Sequence, residues 1–113
     1  KDITGIESAV ITDRKILSND GLIAVVVPID AKTNTLLKQP SIVSRGFIFL
    51  KERGDLLIEA EKVVYSALIR LMKNKVTFSH IKKVIRESVS KFVYAKTKRQ
   101  PIIIPVILNK RED

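Results

Sequence analysis

Hydrophobic and polar positions along the chain mark five successive elements. The first apolar run, "LIAVVVPID" over residues 22–30, is β-branched and continuous, as in a central strand or one buried on both faces. Pro28 lacks the N–H that a ladder needs, so the C-terminal end of this strand is expected at an edge or a bulge. Polar residues around Lys32 to Thr35 predict a hairpin loop, followed by a second strand over about 42–51. On that strand Arg45 and Phe47 share one face, while Ser44, Gly46 and Ile48 share the other. The period then switches. Leu57, Ala60, Val64, Ala67, Leu68 and Leu71 recur at three- and four-residue steps, which predicts a helix over 55–73 with Asp55 as its N-cap and Asn74 as a left-handed cap. Thr77 or Ser79 opens a second helix with Ile81, Val84, Ile85, Val89, Phe92 and Val93 on its inner face, and Gln100-Pro101 stops it. "PIIIPVIL" over 101–108 is the last strand, with Pro105 again arguing for an edge.

Strand, strand, helix, helix, strand is the order of an α+β fold: a small, roughly three-stranded sheet with two helices packed on one face. Residues 1–21 show no sustained period and read as an extended linker, with a short strand near Ser8 to Thr12 and a turn at Asn19-Asp20-Gly21. The domain is expected over 22–109 and a frayed tail over 110–113. Two helices cannot cover both sides of this sheet. The last strand is too apolar to leave on a solvent edge. Ile102, Ile103, Ile104, Val106 and Ile107 are therefore candidates for an interface with another copy or another domain.

A length of 113 residues fits one domain with a single core. No cysteine is present, which excludes disulfides and thiolate metal sites and fits a reducing, cytoplasmic setting. No apolar run approaches the ~20 residues needed to cross a bilayer, so no membrane partner is expected. The chain begins at Lys1 rather than Met, as an excised or processed piece would.

Charge changes the picture more. Of a net +9, residues 1–69 contribute nothing, with nine basic and nine acidic side chains, and residues 100–113 carry two of each. Residues 70–99 hold ten basic side chains against the single acid Glu87. On a helical projection Lys83, Arg86, Ser90 and Tyr94 lie opposite the apolar stripe of the second helix, flanked by Lys82, Lys91 and Lys98. Lys82, Lys83, Arg86, Lys91, Tyr94 and Lys98 are the candidate contacts to RNA or another anion, the cations tracking phosphates and Tyr94 offering a stacking face. A solvated helix face kept basic for solubility is the bland alternative.

Candidate chemistry is sparse. The chain has one histidine, His80, too few for an imidazole metal site. Nothing around Ser18 or Ser44 suggests a nucleophile elbow, and four scattered glycines form no phosphate loop. No catalytic residue, metal ligand or cofactor is expected in this chain.

"DRKILSNDG" (13–21), "LIAVVVPID", "PSIVSRGFIFLKE" (40–52) and "SVSKFVYAKTKRQPIIIPVI" (88–107) together resemble the C-terminal end of bacterial ribonuclease J. That tail carries a similar D-R-x-x-L-S-x-D-G segment, then a hydrophobic strand and an I-S-R-G-F element. A helix ending in K-T-x-R-x-P then runs into a last strand. Val43 stands where the family usually has isoleucine. The resemblance implies a parent with a metallo-β-lactamase fold and an inserted β-CASP domain, hydrolysing RNA as a 5′-to-3′ exonuclease and an endonuclease with two zinc ions. Its metal motifs match no stretch here, so no catalytic residue carries over. What it implies for this chain is a non-catalytic accessory and oligomerisation domain. Its partners would be a second copy or a paralogous subunit, and the parent's own catalytic and β-CASP domains. On this reading Ser44, Arg45, Gly46 and Phe47 are structural or interface residues: Gly46 permits a close approach, Phe47 packs, and Arg45 clamps a carboxylate or carbonyls. The runner-up is an autonomous RNA-binding module that uses the basic second helix.

Overall fold

The structure, a computed structural model, describes residues 20–46 and 53–110. Strand β1 (Leu22–Asp30) is followed by the two-residue β2 (Thr35–Leu36) and by β3 (Ser41–Arg45). Helices α1 (Arg53–Leu71) and α2 (Phe78–Thr97) come next, and β4 (Ile102–Asn109) ends the fold. This is the expected α+β order with one short strand added. The strand expected near Ser8 to Thr12, residues 47–51 of the second strand, and the last three residues of the tail lie outside the described residues.

β1 is central. β4 runs parallel to it on one side, from Leu22 opposite Ile102 to Ile29 opposite Asn109. β2 and β3 share the other side end to end, both antiparallel, so four strands make a sheet three strands wide. The helices form the crossover that returns the chain to a parallel neighbour. The β1–β2 hairpin turns through Asn34, whose left-handed φ of 58° suits asparagine. Asn34 Nδ2 also donates to the carbonyls of Met72 and Asn74, tying this turn to the α1–α2 connection.

The hydrogen bonds show how the sheet accommodates its prolines. Ile102 N donates to the Gly21 carbonyl and Lys110 N to the Ile29 carbonyl. Odd-numbered residues of β1 therefore address β4 and even-numbered ones address β2 and β3, because backbone groups alternate sides along a strand. The missing N–H of Pro28 faces the β2–β3 side. There Ile29 pairs with Leu36 but Val26 with Ser41, so between these pairs two residues of β1 face four of the neighbouring chain. Pro28 sits at this two-residue bulge and still accepts from Leu37 N at 2.9 Å. By the same alternation the missing N–H of Pro105 points away from β1, where the ladder loses nothing. The ladder extends to Lys110, one residue into the expected tail.

Every side chain of β1 that faces the helices is apolar and inaccessible: Ile23, Val25, Val27 and Ile29. They pack with Leu56, Val64 and Leu68 of α1 and with Ile81, Ile85, Val89 and Val93 of α2. Leu56 occupies the core, while Leu57 is only half-buried. The helix starts at Arg53 rather than Asp55, which places Asp55 in the first turn instead of at the N-cap. Asn74 is not left-handed either. The residue in that conformation is Lys98, at the C-terminus of α2, with φ 62° and its N–H donating to the Tyr94 carbonyl. Thr77 caps the other end, its hydroxyl accepting from His80 N at 3.1 Å.

Candidate functional site

Three features outside the helix-side core bear on function. The first is a joint where distant signature segments meet. The Asp20 carboxylate accepts from Gln100 N at 2.7 Å and from Arg99 Nη1 at 3.3 Å, across about 80 residues of chain. Thr97 Oγ1 accepts from Arg99 N and donates to the Val93 carbonyl, shaping the exit from α2. Gly21 has φ 78°, and a Cβ there would lie 2.4–2.6 Å from the backbone of Arg45 and Gly46. Gly46 has φ 66° and faces Gly21 across this contact. The close approach expected at Gly46 is thus made by the Gly21 backbone. Arg45 is exposed, Ser44 is half-buried on the helix-side face, and Phe47 lies outside the described residues. Sequence reasoning missed Asp20, Arg99 and Gln100; the signal available was that S-x-D-G and K-T-x-R-x-P occur in one chain.

The second feature is the face of the sheet turned away from the helices. Leu22, Ile104 and Val106 are buried there in a cluster joined by the half-buried Val26 and Ile102. Towards the C-terminal ends of β1 and β4 the face opens. Leu37 and Leu108 are 47% and 46% exposed and, with Val26 and Pro28, line a groove of about 440 Å³ rimmed by Lys38, Gln39 and Ser41. Val43, on the same face, is 47% exposed. The structure divides the candidate interface strand by parity. Ile102, Ile104 and Val106 lie on this face, whereas Ile103 and Ile107 point to the helices and pack in the core.

The third is the solvent face of α2. Its i, i+4 geometry aligns Lys82, Arg86, Ser90, Tyr94 and Lys98 in one exposed row, with Lys83, Glu87 and Lys91 in the next. All six candidate RNA contacts are exposed on this helix or at its C-cap. Lys98 Nζ sits 5.1 Å from the centre of the Tyr94 ring, within cation–π range. Arg86, Glu87, Ser90, Lys91 and Tyr94 line a shallow hollow of about 420 Å³.

His80 is exposed in the first turn of α2 and borders a separate cavity of about 510 Å³ with Arg70 and Lys75. Among the described residues no three His, Cys, Asp or Glu side chains converge as a metal site would need. No helix among them is long and apolar enough to cross a membrane.

A family model described as the ribonuclease J C-terminal domain matches residues 9–110. The chain is 40% identical over 107 residues to "Ribonuclease J 1" of Streptococcus pyogenes, covering 94% of this chain and 19% of that protein. It is 36% identical over 104 residues to "Ribonuclease J2" of Bacillus subtilis, covering 91% of this chain and 19% of the relative. "Ribonuclease J 2" of Staphylococcus aureus is 39% identical over 106 residues, covering 93% and 19%. The chain thus spans about a fifth of the length of the curated relatives it matches.

Proposed function

The chain belongs to the ribonuclease J C-terminal domain family, and from that premise we propose that it is the non-catalytic accessory and self-association domain of a ribonuclease J-like nuclease. The parent would hydrolyse RNA in cytoplasmic processing and decay, with zinc held by its metallo-β-lactamase-fold catalytic portion. The described residues offer no donor set for that metal. This chain's part is to bring copies of the enzyme together.

The observation that supports the reading is the apolar groove at the open end of the sheet. Val26, Pro28, Leu37 and Leu108 form a strip that a second copy can match with its own, as a two-fold interface requires. Burying such a strip removes apolar area from water at roughly 25 cal/mol per Å². The experiment is the solution mass of the chain across a concentration series, by sedimentation or light scattering. A concentration-dependent dimer that Leu37→Lys with Leu108→Lys abolishes is the expected result. A strict monomer at the highest concentration would overturn self-association and assign the groove to the parent's other domains.

A further inference from the structure

We propose that the solvent face of α2 is a contact surface for single-stranded RNA, with Arg86 and Lys91 binding backbone phosphates on the N-terminal side of a base stacked on Tyr94. This rests on the reading that the parent acts on RNA, and it assigns that ligand a surface on this domain.

Three observations converge there. The whole charge excess of the chain lies within residues 70–99, and two adjacent exposed rows on α2 carry five of the ten cations there, with Glu87 as their only acid. The row from Lys82 to Lys98 covers about 24 Å at the rise of an α-helix, a length that can follow a strand. None of Lys82, Lys83, Arg86 and Lys91 forms an ion pair with a described residue. Their charge is not spent inside the fold, so it attracts polyanions at range and releases counterions on contact.

The third observation separates RNA from an acidic protein surface. Protein interfaces have an apolar, charge-depleted centre. The centre of this face is the hollow formed by Arg86, Glu87, Ser90, Lys91 and Tyr94, with cations at its middle and no aliphatic side chain. Its one large apolar group is the Tyr94 ring, 44% exposed and accompanied by the Lys98 ammonium. An aromatic ring amid cations suits a base and its phosphates, because every base has a π-face to stack and a charge beside it.

The test is fluorescence anisotropy of a labelled oligouridine with the chain over a series of salt concentrations. Two variants carry equal charge changes: Arg86→Glu with Lys91→Glu on the face, and Lys62→Glu with Lys110→Glu away from it. All four side chains are exposed, and circular dichroism checks that both variants fold. Binding should weaken about tenfold or more in the first variant. The slope of log affinity against log salt should flatten by about 1.4, at ~0.7 for each single-strand phosphate that is no longer neutralised. The second variant should move the affinity by less than about threefold. Tyr94→Ala should weaken binding by roughly fivefold or more at an unchanged slope, since stacking releases no counterion. Equal weakening by the two charge variants, absence of binding, or equally effective competition by polyglutamate would each overturn the proposal. The mass of the Arg86→Glu, Lys91→Glu variant, followed alongside, separates this from self-association. A variant that loses RNA but keeps the mass of the unaltered chain leaves the groove reading intact, and a monomeric chain that binds oligouridine defeats only the groove.

Discussion

The two faces of the sheet are built from the same kind of residue and end in different states. On the helix side Ile23, Val25, Val27 and Ile29 are sealed by α1 and α2. On the far side Leu22, Ala24, Val26 and Pro28 begin equally buried and become progressively open along the strand. One β-branched run supplies both, so composition does not set the difference. What sets it is the two amphipathic helices, which both pack on one face and leave the open end of the other uncovered. Substitution on each side of the sheet sharpens this contrast. Ile85→Ala should cost about 2–5 kcal/mol in chemical unfolding, because the cavity lies among side chains held from both helices and the sheet. Val43→Ala on the open face should stay within ~0.5 kcal/mol for the isolated chain. Equal costs would mean that both faces are core and that no surface is left for a partner.

The second contrast lies within the joint at one end of the sheet. Gly21 and Gly46 both have left-handed φ, which costs a non-glycine roughly 1–2 kcal/mol. Only Gly21 is also walled in by backbone. A Cβ at Gly46 would meet the Gly21 Cα at an ordinary 3.6 Å, whereas one at Gly21 would collide with main-chain atoms that no rotamer can move aside. Gly46→Ala should therefore lower stability by about 1–2 kcal/mol and leave the β1–β3 register intact. Gly21→Ala should cost clearly more and expose the amides of β1 near Leu22 to hydrogen exchange. If the two cost the same, conformational strain alone accounts for both glycines and the close approach contributes nothing.

These contrasts also mark what the sequence could convey. Helices were legible because a 3.6-residue period and the charge opposite it are both written locally, which is why the basic row on α2 could be named side chain by side chain. The choice between Leu56 and Leu57 was not, since both are apolar neighbours and the helix start decides which one enters the core. The bulge beside β1 was half visible: Pro28 announced a missing donor, while the two extra residues opposite it depend on register, which no local pattern carries. Least legible was the joint. Asp20 reads locally as a turn residue, and only the fold carries it to Arg99 and Gln100. Ile103 and Ile107 show the remaining limit, because "PIIIPVIL" is apolar throughout and parity against β1 alone assigns each residue to a face.

A small expected change in stability falls on the two edges of the sheet, which are protected in different ways. On β3 the outward N–H of Ile42 is taken by the Glu61 carboxylate of α1 at 3.0 Å. On β4, which among the described residues pairs only with β1, the outward position at the centre of the strand is Pro105, with no donor to offer. A proline there costs the internal ladder nothing and interrupts the row of outward donors that another strand could use as a template. Pro105→Val restores that donor while keeping an apolar side chain suited to a strand. Stability should change by less than ~1 kcal/mol, since the loss of proline's restriction on the unfolded chain is offset in part by valine's strand preference. Self-association should respond far more, as slow growth of large assemblies in light scattering that bind an amyloid dye and persist when Leu37 and Leu108 are changed to lysine. That independence matters, because the groove and the edge are then separate routes to association. A Pro105→Val chain with unaltered scattering would mean that the edge is protected by something other than its missing donor.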